Sequence, residues 1–141
     1  MPITLTVPEG LLSKEAQAEV FAGLTEALLK VSGLTGNAFM TPNVVGTINV
    51  LPREQVFSGG KPAAAAFVEL KLPQIALASA EAKQAFIEAA TAIVERAAEG
   101  RLQAGQIWTN IVYAADDSWG IAGRAYSNAK LVGAIQEAAA A

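Results

Sequence analysis

The chain has 141 residues, enough for one domain with its own core and no disulfide staples. It contains no cysteine and no histidine, which excludes disulfides, thiolate and imidazole metal ligands, cysteine nucleophiles and Ser-His-Asp catalysis. A formal charge of -3 with both signs interspersed gives no basic footprint for nucleic acid, and no apolar run approaches a membrane span. Met1-Pro2-Ile3-Thr4-Leu5 carries no basic stretch, so no signal peptide is read and a soluble cytoplasmic protein is expected. Hydrophobic residues make up 52% and charged residues only 16%, a balance that an oligomer interface would use.

Ile3, Leu5 and Val7 alternate with threonines, which predicts a strand with one buried face, ended by Pro8-Glu9-Gly10. Ser13 is a helix cap, and Ala16, Val20, Leu24, Leu28 and Val31 form one apolar helical stripe. Ser32-Gly33 closes that helix. A second strand spans about Asn43 to Leu51, followed by a turn region from Pro52 to Gly59-Gly60.

The same order then returns. Ala65 to Leu72 reads as a strand ended by Pro73. Ser79 is a cap, and Ala82, Phe86, Ala90, Ile93 and Ala97 make a second stripe closed by Gly100. Ile107 to Tyr113 is the matching strand, with Ser118-Trp119-Gly120 and Gly123 in its turn region. Ser13 aligns with Ser79, Glu15 with Glu81, Thr25 with Thr91 and Gly60 with Gly123. The chain is therefore expected to be a single domain, 1–141, built from internal repeats at about 1–61 and 62–124, with 125–141 as a C-terminal interface segment whose Ala-rich end frays. The fold class is α/β (α+β): a tandem β-α-β repeat whose helical crossovers make each strand pair parallel. The two units merge into one four-stranded sheet with both helices on one face. The other face is left for subunits or a ligand.

The Met-Pro-Ile start, the β-α-β unit and the Gly-Gly turn after the second strand resemble the tautomerase superfamily. The resemblance covers nearly the whole chain up to Gly123. Gly33-Leu34-Thr35-Gly36, Phe67-Val68 and Ile107-Trp108 are most similar to the long-chain branch that includes cis-3-chloroacrylic acid dehalogenase, and the order of parts is also similar to macrophage migration inhibitory factor. The resemblance implies a homotrimer, a small carbonyl substrate, and catalysis by an N-terminal proline. It calls for no cofactor and no metal.

Pro2 has a physical logic of its own. Inside a chain its nitrogen is an inert tertiary amide; once Met1 is removed it is a secondary amine. Ordinary α-amino groups titrate near about 7.7–8, and burial or a nearby cation lowers that value. The amine then serves as general base at neutral pH, the task histidine cannot perform here. Its ring also fixes its direction.

The arginines that the resemblance implies around the proline are absent. Leu11, Leu12 and Val45 stand where oxalocrotonate-type enzymes have arginine. Val31, the stretch Pro73 to Leu77, and Ile121 stand where the dehalogenase pattern has a histidine, two arginines and a carboxylate, so dehalogenation through an activated water is not expected. Trp108-Thr109-Asn110 remains. Strand alternation puts Trp108 and Asn110 on one face. The resemblance implies that such an aromatic and Asn serve the proline pocket of a neighbouring subunit, where Trp108 stacks on a conjugated substrate and Asn110 bonds its oxygen. Trp108 reads equally as a core or interface anchor. Lys71 is a candidate for the substrate-binding or pKa-lowering cation, or else a solvated charge at a strand end. Arg124 and Lys30 are weaker candidates, and Trp119 and Phe57 read as packing residues. Gly59-Gly60 is a tight turn and not a phosphate loop. Three functions stay open: keto-enol tautomerisation with Pro2 as base, a related hydration or decarboxylation, and non-enzymatic binding by an oligomer that retains the fold.

Overall fold

A computed structural model describes residues 1–141. Alternation at the start of the chain produces β1 (Pro2–Pro8), with Ile3, Leu5 and Val7 buried on one side and Pro2, Thr4 and Thr6 on the other. The helix α1 (Lys14–Val31) begins where the Ser13 hydroxyl accepts the Ala16 N–H at 3.1 Å. It buries Val20, Leu24, Leu28 and Leu29, while Ala16 and Val31 at the stripe ends are only partly covered. The strand β2 (Val45–Leu51) starts later than the expected Asn43, because Thr41–Asn43 forms a 3-10 turn led by Pro42. Gly46 in β2 has no room for a side chain: a Cβ there would collide with the Ile3 carbonyl and lie 2.7 Å from the Phe21 ring.

A two-residue turn joins β3 (Phe57–Ser58) to β4 (Lys61–Pro62). The second unit follows as β5 (Ala66–Pro73), α2 (Ala80–Ala97) and β6 (Ile107–Ala114). The Ser79 hydroxyl caps α2 by accepting the Ala82 N–H at 3.1 Å, as Ser13 does for α1. The aligned Thr25 and Thr91 donate back to the carbonyls of Phe21 and Ile87. The hairpin β7 (Trp119–Ile121) and β8 (Arg124–Tyr126) repeats β3 and β4. Both turns, Gly59-Gly60 and Ala122-Gly123, have positive φ at their two central residues, the geometry that matches strand twist in a tight hairpin.

The sheet order is β2-β1-β5-β6, with β1 parallel to β2, β5 parallel to β6, and the two units joined antiparallel by β1 and β5. Both long helices cover the face bearing Ile3, Leu5, Val68 and Leu70, all fully buried. Each such side chain contributes about 1.5–3 kcal/mol by leaving water. Gly23 of α1 lets Ile93 of α2 come close, since a Cβ there would sit 3.4 Å from Ile93 Cγ2. The opposite face carries Val45, Trp108 and Val112, all large apolar residues left exposed.

The tail forms α3 (Asn128–Ala140), which runs through the Ala-rich segment. Ser127 caps it through the Lys130 N–H at 3.2 Å, and Leu131 anchors it in the core. The buried Asn37 side chain donates to the Ile135 carbonyl at 3.0 Å, tying α3 to the loop after α1. No helix is long and apolar enough to cross a membrane.

Candidate active site

The order β2-β1-β5-β6 brings the start of β1 beside the start of β2 and the ends of β5 and β6. A cleft of about 410 Å³ opens there, lined by Met1, Pro2, Asn43, Val45 and Lys71, by Val112–Ala114, and by Ser118–Ile121. Pro2 pairs with Val45. The antiparallel register Ile3 to Leu70, carried one residue further, sets Pro2 opposite Lys71 on the open face.

Met1 holds the amine in this chain, and the Pro2 nitrogen lies within the Met1–Pro2 peptide bond. The Met1 ammonium donates to the Asn43 carbonyl, and the Met1 carbonyl accepts the Val45 N–H at 3.3 Å. The Met1 residue is only 3% exposed. Burial lowers its amine from 8.0 to about 6. The cause is desolvation and not the Lys71 cation, whose Nζ lies 3.3 Å from Glu69 Oε1 in an exposed pair. Lys71 is still the one charged side chain lining the cleft; no carboxylate and no arginine lines it.

Tyr113 and Trp119 form much of the far wall. The Tyr113 hydroxyl donates to the Leu77 carbonyl at 3.0 Å, Lys83 Nζ lies 5.4 Å from the ring centroid, and burial raises the phenol above its usual value. Leu77 itself holds a positive φ. Trp119 is half-buried against the core, as a packing residue should be, and it also lines the cleft; its Nε1 is buried without an acceptor. The hairpin that carries it is held by Asp116, whose carboxylate accepts the Asn128 N–H at 2.6 Å. Sequence reading passed over Trp119, Tyr113 and Asn43 as cleft residues. The one available signal was the alignment of the two turn regions, which marks Trp119 as part of a repeated hairpin.

Pro2, Lys71, Trp108 and Asn110 all belong to the open sheet face, but only Pro2 and Lys71 meet in one cleft. Trp108 starts β6 at the opposite end of the sheet and stacks on Phe67, with centroids 5.8 Å apart. Along a strand rising about 3.4 Å per residue, Trp108 is roughly 14 Å from Val112 at the cleft, and Asn110 roughly 7 Å. Trp108 does not reach the cleft of its own chain. No group of His, Cys, Asp and Glu side chains capable of holding a metal ion is present. Arg124 in β8 and Lys30 at the end of α1 do not line the cleft.

No protein-family model and no curated protein matches the chain. Solved structures do. The asymmetric trimer of the wild-type fused 4-OT R7 matches with a TM-score of 0.77 and 19% identity, over 94% of this chain and 99% of that one. N1, a member of the cis-3-chloroacrylic acid dehalogenase family, matches with a TM-score of 0.76 and 15% identity over 100% of both chains. Pt0534 inactivated by 2-oxo-3-pentynoate matches with a TM-score of 0.74 and 16% identity, over 93% and 98%. With two β-α-β units joined antiparallel in one four-stranded sheet, the chain has the fold of these fused 4-OT and cis-3-chloroacrylic acid dehalogenase family structures.

Proposed function

We propose that this protein is a tautomerase-like enzyme in which Pro2, freed by removal of Met1, is the general base for keto-enol isomerisation of a small carbonyl or 2-oxo compound. The observation that carries this reading is the place of Pro2: it lines a cleft together with Lys71, at the end of the sheet where the chain's amine is drawn out of water and its pKa is lowered by burial. Once Met1 is gone, the Pro2 secondary amine opens on this cleft, and any burial there lowers its pKa from the ordinary α-amino range; in its unprotonated form it accepts a proton from the carbon beside a carbonyl. It then returns the proton to the other end of the enol system, so the reaction is proton-neutral. Lys71 supplies the positive charge for a substrate carboxylate or enolate oxygen. The absence of arginine and of a lining carboxylate favours a simple proton transfer over hydration.

The reading includes a homotrimer. The apolar open face, with Val45, Trp108 and Val112 exposed, supports an assembly that covers it. A neighbouring subunit's Trp108 then stacks on the substrate at Pro2, and its Asn110 bonds the carbonyl oxygen. Light scattering at micromolar concentration tests the assembly, and a monodisperse monomer refutes it. Catalysis is tested on mass-verified protein beginning at Pro2, with ketonisation of phenylenolpyruvate followed by ultraviolet absorbance. Pro2→Ala keeps a terminal amine but loses the ring and secondary nitrogen, and a loss of about 10²–10⁴-fold is expected. Equal rates for the variant and the parent, with the oligomer intact, remove Pro2 as the base.

A second reading rests on the burial of Met1. If the methionine is retained, Pro2 is an amide and the base at the cleft is the primary amine of Met1. The intact mass of the active protein separates the two.

A further inference from the structure

The end of the sheet opposite Pro2 carries a second and larger cleft, of about 570 Å³, where β1 and β2 finish and β5 begins. The repeat explains its position. The antiparallel pairing of the two units places the start of the second unit at one end of the sheet and the start of the first at the other. The first cleft contains Pro2 and Lys71; the second contains Arg53 and Arg101.

Both arginines are held by their inner nitrogens. Arg53 Nε donates to the Glu9 carbonyl at 3.0 Å, and Arg101 Nε donates to the Leu11 carbonyl at 3.0 Å. The accepting carbonyls lie two residues apart in the chain, a separation of at most about 7 Å, and both arginines line the same cleft. Gly10, at φ +76°, makes room for this: a Cβ there would lie 2.7 Å from Arg53 Nη2. The outer nitrogens of Arg53 have no ion-pair partner. Arg101 has only Glu99, 3.7 Å away and 76% exposed, a contact that a ligand displaces at little cost.

We propose that this cleft is a binding site for a small ligand bearing a carboxylate or phosphate oxyanion, held jointly by Arg53 and Arg101. The guanidinium fork matches two oxygens of such a group in one plane. Glu9 and Glu54 also line the cleft and bring its formal charge to zero. Recognition therefore rests on fixed donors and not on a positive field, and a spherical anion does not substitute for an oxyanion. The site is separate from the Pro2 cleft and does not depend on the reaction proposed there.

The test is calorimetric titration of the full chain with malonate, with inorganic phosphate and with chloride, at constant ionic strength. Binding of malonate or phosphate at millimolar concentration, unaffected by chloride, is expected, and the tighter of the two identifies the group. Arg53→Gln and Arg101→Gln should each weaken binding about tenfold or more, the loss of one charge-assisted bidentate contact. Arg101 also anchors the Leu11 carbonyl, so Arg101→Lys, which retains charge but loses the fork, guards against a folding defect; it too should bind more weakly. Absence of binding by either oxyanion, equal affinity in the arginine variants, or equal competition by chloride overturns the proposal. So does loss of binding in Pro2→Ala, which would put the anion in the other cleft.

Discussion

Removal of Met1 should lower stability while it creates the proposed base. The Met1 side chain packs in the core cluster and the residue is only 3% exposed. It borders both the Pro2 cleft and an apolar cavity of about 320 Å³ lined by Val31, Met40, Leu77 and Leu131. Truncation of a buried methionine costs roughly 2–5 kcal/mol, and more when the hole stays sealed. Here the vacated space joins an open cleft that water enters, which favours the low end, about 2 kcal/mol. Loss of the Val45 N–H bond to the Met1 carbonyl acts in the same direction. For a chain of this length that corresponds to a melting temperature lower by roughly 5–8 °C in the form beginning at Pro2. The two forms are separated by intact mass, melted by circular dichroism and assayed for enol ketonisation. The methionine-retaining form should be the more stable and the inactive one. Equal melting temperatures would refute the packing argument; equal activity would refute the assignment of the base to Pro2.

The retained form should also show a pH signature. Its amine has a folded value of about 6 against 8.0 when free, so the unfolded chain binds more protons between those values and stability rises from pH 6 to pH 8. The burial cost is fully present below pH 6, and about 1 kcal/mol is expected after screening at the cleft mouth. No histidine titrates in that window, so a melting temperature flat from pH 6 to 8 would contradict the burial of the amine. Trp108→Ala should raise KM more than it lowers kcat. Mixing it with Pro2→Ala should restore activity if the ring serves a neighbour's proline, and unrestored activity in verified mixed trimers would argue against that placement. Gly46→Ala should destabilise strongly, through collision with the Ile3 carbonyl across β1 and β2; a melting temperature unchanged from the parent would contradict that register. Ala122→Gly relieves a positive φ in the β7–β8 turn; the left-handed penalty of about 1–2 kcal/mol outweighs glycine's entropic cost of about 0.5–1 kcal/mol, so a small net stabilisation is expected, read by denaturant titration.

The elements were legible because their signals are local. Alternation at Ile3, Leu5 and Val7, serine caps at Ser13 and Ser79, and helical stripes through Leu24 and Phe86 depend only on near neighbours in sequence, and each forms the expected element. The repeat extended that reading to the sheet, since two crossover units have few ways to cover one face. The β2 start differed because Pro42 favours a 3-10 turn before the strand, a local competition that the apolar pattern does not reveal. The cleft was only half legible. Pro2 declares itself by its place after Met1, but its neighbours Asn43, Tyr113 and Trp119 are set beside it by the order β2-β1-β5-β6. That order follows from which strand edges pair between the units, a long-range choice set by burial of both apolar faces together. Trp108 shows the same division. Its face follows from alternation, whereas its distance from Pro2 follows from the direction of β6, which no residue near it encodes. Arg53 and Arg101 are remote in sequence and line one cleft, each held by a carbonyl of the segment Glu9–Leu11. Local pattern thus determined the pieces, and the antiparallel seam between β1 and β5 decided which side chains share a cleft, because a strand's own sequence specifies its faces but not its neighbours.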